Sequence, residues 1–292
     1  MGKTRVYPAL DISWPAPPDD EQVDRLLADV DHEALLGVEM GTGRVRLFFN
    51  DTVSRGRVAQ HLTRAMPGAD CAEVDVPDDD WAARSQASLP PVRVGRLMIV
   101  TEAGGDANLA AFARDGVRHC LSIVPSMGFG TGHHATTRLC LRLLQDVPIA
   151  GARVLDIGTG SGILAIAARM LGSGDVVAID TDADALDAAR ENVERNGVVG
   201  RIDLRLADLT QLSTSSLGVP FDLVLANLTG ALLVNSARTL AGLMRPSAHV
   251  IASGFMTEDE AAVRRAFEAG GYGVVTRAIE DDWISLQLRR IR

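Results

Sequence analysis

Lysine is all but missing from this chain of 292 residues: Lys3 stands alone among 29 basic side chains, and the other 28 are arginine. A phosphate loop of the form G-x-x-x-x-G-K-[ST] is thereby excluded, since Lys3 cannot complete one. No G-x-S-x-G segment occurs, which removes the nucleophile elbow of α/β-hydrolases. Cys71, Cys120 and Cys140 lie far apart, with no C-x-x-C pair to hold zinc or run dithiol chemistry. Such thiols suit a reducing compartment. No apolar run approaches the roughly 18 residues a membrane-spanning helix needs. Met1-Gly-Lys-Thr-Arg-Val-Tyr7 has no apolar signal-peptide core, so the expected location is cytoplasmic, with no membrane partner.

What is present points to two domains. The length exceeds the usual single-domain size, and 47% of the residues are hydrophobic. Charge separates along the chain: residues 1–80 hold 16 acidic and 8 basic side chains, and residues 81–292 hold 22 and 21. Nearly all of the net −9 is therefore N-terminal. A negative surface repels phosphate backbones and attracts cationic proteins, so no direct nucleic-acid partner is expected there. Pro77-Asp-Asp-Asp80 opens a polar stretch that runs to Pro90-Pro91. The expected division is a small domain over 1–80, a connection over 81–100 and a larger domain over 101–292.

Within the first 80 residues the pattern reads strand (5–13), helix (21–30), two strands near 36–39 and 45–49, helix (55–66) and strand (72–76). The order β-α-β-β-α-β predicts a ferredoxin-like sandwich, and Gly41-Thr-Gly43 suits the turn between its central strands. From residue 152 strands and helices alternate: strands at 152–158, 175–180, 202–207, 221–226 and 249–254, with helices at 163–171, 183–196, 230–244 and 258–269. A strand pair near 273–279 and 283–289 closes the chain. Such alternation predicts a mainly parallel sheet covered on both faces. Thr257-Glu-Asp-Glu260 has the form of a capping box.

The glycine turn Asp156-Ile-Gly-Thr-Gly-Ser-Gly162, between a strand and a helix, marks a cofactor site. Gly158, Gly160 and Gly162 let the backbone turn sharply and approach a ligand, and Asp156 is counted with them. The spacing departs from the dinucleotide fingerprint, because Ile163 stands where that pattern needs a small residue. Asp180 ends the next strand, where an acid can accept from the two hydroxyls of a ribose. Asp208 follows the third strand, either to accept from an adenine amino group or as an ordinary loop aspartate. Asn227 ends the hydrophobic run Phe221-Asp-Leu-Val-Leu-Ala-Asn227, and its amide can orient an amine or cap a helix. Upstream, Gly128-Phe-Gly-Thr-Gly-His133-His134-Ala-Thr136-Thr137 is read as a segment covering the cofactor, whose threonine hydroxyls and free helix-start amides can bind a carboxylate. His133 and His134 are not read as metal ligands, since no acidic or Cys ligand lies nearby.

Taken together, Phe129-Gly-Thr-Gly-His-His-Ala-Thr-Thr137, Val154-Leu-Asp-Ile-Gly-Thr-Gly-Ser-Gly-Ile-Leu-Ala-Ile-Ala167, Ala189-Arg-Glu-Asn-Val-Glu-Arg-Asn-Gly197 and Ala226-Asn227-Leu228 resemble the PrmA family. Its members are S-adenosylmethionine-dependent methyltransferases that modify ribosomal protein L11. The resemblance implies a class I methyltransferase fold, α/β with a doubly wound Rossmann-like sheet, behind the small ferredoxin-like domain. It implies S-adenosylmethionine as cofactor, with Thr137, Gly158, Asp180 and Asn227 at contact positions and Phe129 and Thr131 in the covering segment. The leading domain would recognise the basic ribosomal substrate through its acidic surface. The expected reaction is methylation of lysine side chains or of the N-terminal amine, with Asn227 orienting the amine and Phe129 providing an apolar wall. A lysine ammonium, with an ordinary pKa of about 10.4, must lose its proton to attack, which a desolvated entrance favours. Two rival readings are a methyltransferase of the same fold acting on another protein or small molecule, and a non-catalytic, ribosome-associated cofactor-binding protein.

Overall fold

The computed structural model describes residues 6–15, 26, 30, 35–41, 43–66, 68–77, 90–100, 116–124, 132–211, 217–218 and 220–291. The chain divides into two compact units, Met1–Ser88 and Leu89–Arg292. Part of the connection expected over 81–100 is thus strand of the second unit.

In the first unit, β1 (Val6–Ser13), β2 (Leu35–Gly41), β3 (Arg44–Phe49) and β4 (Asp70–Pro77) form an antiparallel sheet in the order β2-β3-β1-β4. Helix α1 (Thr52–Ala65) connects β3 to β4. This is the strand order of the expected ferredoxin-like sandwich. Period-two alternation on β1 and β3 turns Leu10, Ile12, Val45, Leu47 and Phe49 toward Val58 and Leu62, one turn apart on α1. The helix expected over 21–30 lies outside the described residues except for Leu26 and Val30, both buried in this same core. Asp51 starts α1 by accepting from the Ser54 amide at 2.7 Å. That bond, and a second from the Ser54 hydroxyl at 2.9 Å, hold its carboxyl below the ordinary range.

The acidity of this unit is distributed differently from its sequence total. Among its described residues, Asp11 and Glu39 pair with Arg44 and Arg46, and Arg55 pairs with Glu73 and Asp75. The excess acids are Asp19, Asp20, Glu21, Asp24, Asp29, Asp31, Glu33 and Asp78 to Asp80, which lie outside the described residues.

The second unit opens with β5 (Val92–Val94), β6 (Leu97–Val100) and β7 (His119–Ser122) in a three-stranded sheet, β5-β6-β7. Strands β5 and β6 form a tight hairpin, because Gly95 turns the chain at φ +58. Residues 101–115 lie outside the described residues.

The main sheet contains β8 (Val154–Ile157), β9 (Val176–Asp180), β10 (Ile202–Leu206), β11 (Phe221–Asn227), β12 (Met244–Met256), β13 (Tyr272–Glu280) and β14 (Trp283–Arg290). Its order is β10-β9-β8-β11-β12-β14-β13; the first five strands are parallel and the last two antiparallel. Helices α2 (Ala135–Leu144), α3 (Ile163–Met170), α4 (Ala183–Arg195), α5 (Gly230–Leu243) and α6 (Glu260–Ala269) complete the unit. Successive strand residues face opposite cores. Val154, Val176, Ala178, Leu223, Leu225 and Ile251 pack with α2 and α3, whereas Leu155, Val177, Val224, Val250 and Leu286 join Leu233, Leu240, Val263 and Phe267 of α5 and α6. Burial on both faces explains why these strands read as continuous apolar runs.

The capping box expected at Thr257 does not form. The residue before α6 is Asp259, without a side-chain cap, and the Glu260 carboxylate instead receives Arg277 Nε at 3.0 Å from β13. A charged fork from a neighbouring strand outcompetes a local amide. Among the described residues no helix is long and apolar enough to cross a membrane.

Candidate functional site

From β8 the chain proceeds through β9 and β10 on one side and resumes on the other side at β11. The carboxyl ends of β8 and β11 therefore flank the point where strand order reverses, the usual crevice for a ligand in such sheets. The glycine turn leaves β8 there. Gly158, Gly160 and Gly162 have φ of +66, +52 and +80, a backbone region in which other residues are strained. A Cβ on Gly162 would lie 3.2 Å from Ala189 Cβ, so this glycine also permits close packing of the loop on α4.

Three side chains from three elements hold the turn. Asp156 Oδ2 accepts from Thr159 Oγ1 at 2.7 Å and from the Ala165 amide at 3.1 Å. Asp180 Oδ2 accepts from the Gly160 amide at 2.9 Å, and Asn192 Nδ2 donates to the Ser161 carbonyl at 2.9 Å. Asn192 also accepts from Val124 N at 2.9 Å, while Asn196, one turn on, exchanges hydrogen bonds with the Ser122 main chain. Sequence reasoning gave Asn192 no role of its own. The available signal was two asparagines four apart inside a helix, where asparagine is a weak former unless its amide has a partner.

Asp156 itself has no exposed surface, and its Oδ1 has no hydrogen-bond partner among the described residues. It reaches the crevice only through the loop it shapes. Burial pushes its carboxyl up to about 7, against the opposing bonds from Thr159 and Ala165 and with a further push from Asp180. Asp180 is half-buried at the end of β9, and its Oδ1 accepts from the Asp182 amide at 3.1 Å. Each oxygen thus has one recorded partner and one remaining lone pair.

Asp208 is engaged locally: Oδ1 accepts from the Thr210 amide at 2.8 Å and from its hydroxyl at 2.7 Å, and Oδ2 accepts from Gln211 Nε2 at 3.0 Å. The Thr210 hydroxyl, then its amide, holds the Asp208 carboxyl below its ordinary range. This is the turn-forming use of aspartate. Asn227 is the last residue of β11, half-buried and paired in register with Ser253. The residue capping α5 is Thr229, so Asn227 is not held at the crevice as a helix cap.

Thr137 lies in the first turn of α2, buried with Thr136. Two of the amides expected to be free at this helix start, those of Thr136 and Thr137, are engaged. His134 is the N-cap; its carbonyl accepts from the Thr137 amide at 3.1 Å and the Arg138 amide at 3.2 Å, and Nδ1 faces the Thr136 amide at 3.4 Å. Burial, then Arg138, lowers the His134 pKa and so favours the neutral ring, the form with an acceptor nitrogen. The cap is braced from the chain's last hairpin. Trp283 meets the His134 ring edge-on at 4.8 Å, and Glu280 receives Arg138 Nε at 2.8 Å. Glu280→Gln is expected to lower stability by about 1 kcal/mol, measured by denaturant unfolding. An unchanged midpoint would mean the ion pair does not secure this helix start. His133 Nε2 faces Pro90 O at 3.0 Å. Phe129 and Thr131 lie outside the described residues.

These residues fit an adenosine-bearing methyl donor. Left-handed glycines turn beneath the crevice, a half-exposed carboxylate at Asp180 retains acceptor capacity, and an amide stands opposite on β11.

Known proteins are similar to this chain in sequence and fold. A family model described as ribosomal protein L11 methyltransferase (PrmA) matches residues 23–291. A ribosomal protein L11 methyltransferase of Symbiobacterium thermophilum is 39% identical over 72% of this chain, a match spanning 66% of that protein's length. One of Pelotomaculum thermopropionicum is 38% identical over 80% of this chain and 73% of its own. The crystal structure of a ribosomal protein L11 methylase from Lactobacillus delbrueckii subsp. bulgaricus superposes with a TM-score of 0.61 and 26% identity, covering 70% of this chain and 100% of that one. The doubly wound sheet is thus the Rossmann-like fold of class I methyltransferases, and the chain belongs to the ribosomal protein L11 methyltransferase (PrmA) family.

Proposed function

We propose that this protein transfers methyl groups from S-adenosylmethionine to amines of ribosomal protein L11, either lysine side chains or the N-terminal amine. The observation that carries the reading is the pairing, across one switch point, of a glycine turn pinned by Asp180 with Asn227 on the neighbouring strand. Bound there, the cofactor supplies a methyl group on a sulfonium, already a good leaving group. The protein's tasks are therefore alignment and delivery of an uncharged amine.

Asn227 suits the first task, because its amide can accept from an amine N–H and leave the nitrogen lone pair directed elsewhere. An apolar entrance suits the second by disfavouring the ammonium, and Phe129 is proposed as part of that wall. Asp180 is proposed to accept from ribose hydroxyls, with Thr137 and the glycines as further cofactor-binding positions. Asp208 retains limited acceptor capacity for an adenine amino group. The acids of residues 19–33 provide the charge to hold a basic ribosomal protein, so the first unit is proposed as the recognition domain of a cytoplasmic enzyme.

Asp180→Ala is expected to weaken S-adenosylmethionine binding by about a hundredfold, because two hydrogen bonds to a charged acceptor are lost. Calorimetric titration of the full chain reads it, and wild-type affinity would remove the ribose role. The reading as a whole is tested by incubating purified L11 with labelled S-adenosylmethionine and the enzyme, then mapping the product by intact mass and peptides. Mass gains in steps of one methyl are expected. No transfer by a preparation that binds the cofactor would redirect the search to other substrates or a non-catalytic role.

A further inference from the structure

Leu228 follows Asn227 off the end of β11, and both strands that pair with β11 reach it. On the β8 side, a Cβ on Gly158 would lie 2.7 Å from Leu228 Cδ2. That contact is with the end of a flexible side chain, which can turn away. On the β12 side the contact is with main chain. Gly254 has φ +91, and a Cβ there would stand 2.5 Å from Leu228 O and 2.8 Å from its carbonyl carbon and nitrogen.

The local sheet is shaped around this approach. Pairing between β12 and β14 shifts register between Ser253 and Phe255, which places Gly254 in a bulge. Ser253 O accepts from the Leu228 amide at 2.8 Å, and Ser253 Oγ donates to Ile284 O at 2.7 Å, fixing the bulge to β14. A glycine inside a strand weakens it, and close approach of another backbone is a recognised reason for one.

We infer that Gly254 is a positioning residue for methyl transfer: by admitting the Leu228 main chain into the bulge of β12, it sets where the Leu228 carbonyl and the Asn227 amide stand over the crevice. The inference rests on the proposed role of Asn227 and names what holds it in place. Any side chain at 254 must push the 227–229 segment outward, because three backbone atoms occupy the space of its Cβ. The hydrogen bonds that hold the glycine turn come from Asp156, Asp180 and Asn192, outside that segment, and Gly158 meets Leu228 only at the end of a side chain that can turn away. Alignment of the amine is therefore lost while the cofactor cradle stays.

The test uses full-length Gly254→Ala and Gly254→Asn. Asparagine tolerates a positive φ better than alanine and carries the same Cβ, so it separates backbone strain from displacement. Both variants are expected to methylate L11 with kcat lowered about a hundredfold. S-adenosylhomocysteine affinity by calorimetry should stay within about threefold of wild type, far below the effect of one lost charged hydrogen bond. Wild-type kcat in a folded variant, or an affinity loss parallel to the loss of kcat, would overturn the inference. Should Gly254→Ala fail to fold, Gly254→Asn decides by the same two readouts. Wild-type enzyme is assayed alongside. If it binds the cofactor analogue but leaves L11 unmodified, the substrate assignment fails, and the inference is then read from crystal structures of wild type and Gly254→Asn. Those must show Leu228 O displaced by about 0.8 Å or more, the shift that takes a 2.5 Å approach out to the usual C···O separation; an unmoved Leu228 would overturn it.

Discussion

Asn227→Ala is expected to reduce kcat for L11 methylation about a hundredfold or more, with a loss of S-adenosylhomocysteine affinity below about tenfold. The asymmetry follows from position. Asn227 ends β11 on the opposite side of the crevice from the glycine turn, and the bonds that hold that turn come from Asp156, Asp180 and Asn192. Removing the amide leaves the cradle and releases the amine. Asn227→Asp sharpens the test, because the carboxylate still accepts from an amine N–H but stabilises the ammonium that cannot attack. Its kcat should rise with pH over a range where wild type has levelled, so that the two pH profiles separate. Superimposable profiles, or an alanine variant that loses binding and turnover in equal measure, would reassign Asn227 to the cofactor alone.

The elements that could be read from sequence are those whose pattern has one physical cause. Strands β8, β9, β11 and β12 are buried on both faces, so each appears as an apolar run, and the helices between them follow at the expected distances. Gly158, Gly160 and Gly162 all occupy the positive φ region their spacing suggests. What could not be read depends on partners remote in the chain. Glu260 turns from a local cap to Arg277 because β13 brings a guanidinium within 3.0 Å. His134 becomes a cap braced by Trp283, from the far end of the chain, and thereby occupies amides that sequence alone leaves open. Gly254 resembles any strand glycine until the Leu228 main chain is seen against it. The acidic patch shows a similar limit: Asp11, Glu39, Glu73 and Asp75 count as charge in the sequence, yet each is paired with arginine in the fold.

Asp156 sets the largest expected dependence of stability on pH. Its folded-state pKa is pushed up from 3.8 to about 7, chiefly by complete burial. A raised carboxyl binds more protons folded than unfolded between these values. Its contribution is therefore full at low pH and declines as pH rises from about 4 to about 7, by at most about 4 kcal/mol. His119, His134 and His249 act in the opposite sense. Burial, the first cause in each, lowers their pKa, so their contribution is lost as pH falls below the ordinary histidine value of 6.5. The two trends overlap near pH 6 in wild type, and a single melting curve cannot separate them. Asp156→Asn can, because the amide oxygen still accepts from Thr159 and Ala165 while nothing ionises. Wild type and variant are expected to have similar stability near pH 4, with the variant gaining steadily toward pH 7 and levelling above it in denaturant titrations. Measured with saturating S-adenosylhomocysteine, both curves should rise by binding linkage without losing that divergence. Parallel pH curves would show that Asp156 is charged in the folded protein across the whole range, and that the glycine turn rests on a buried anion.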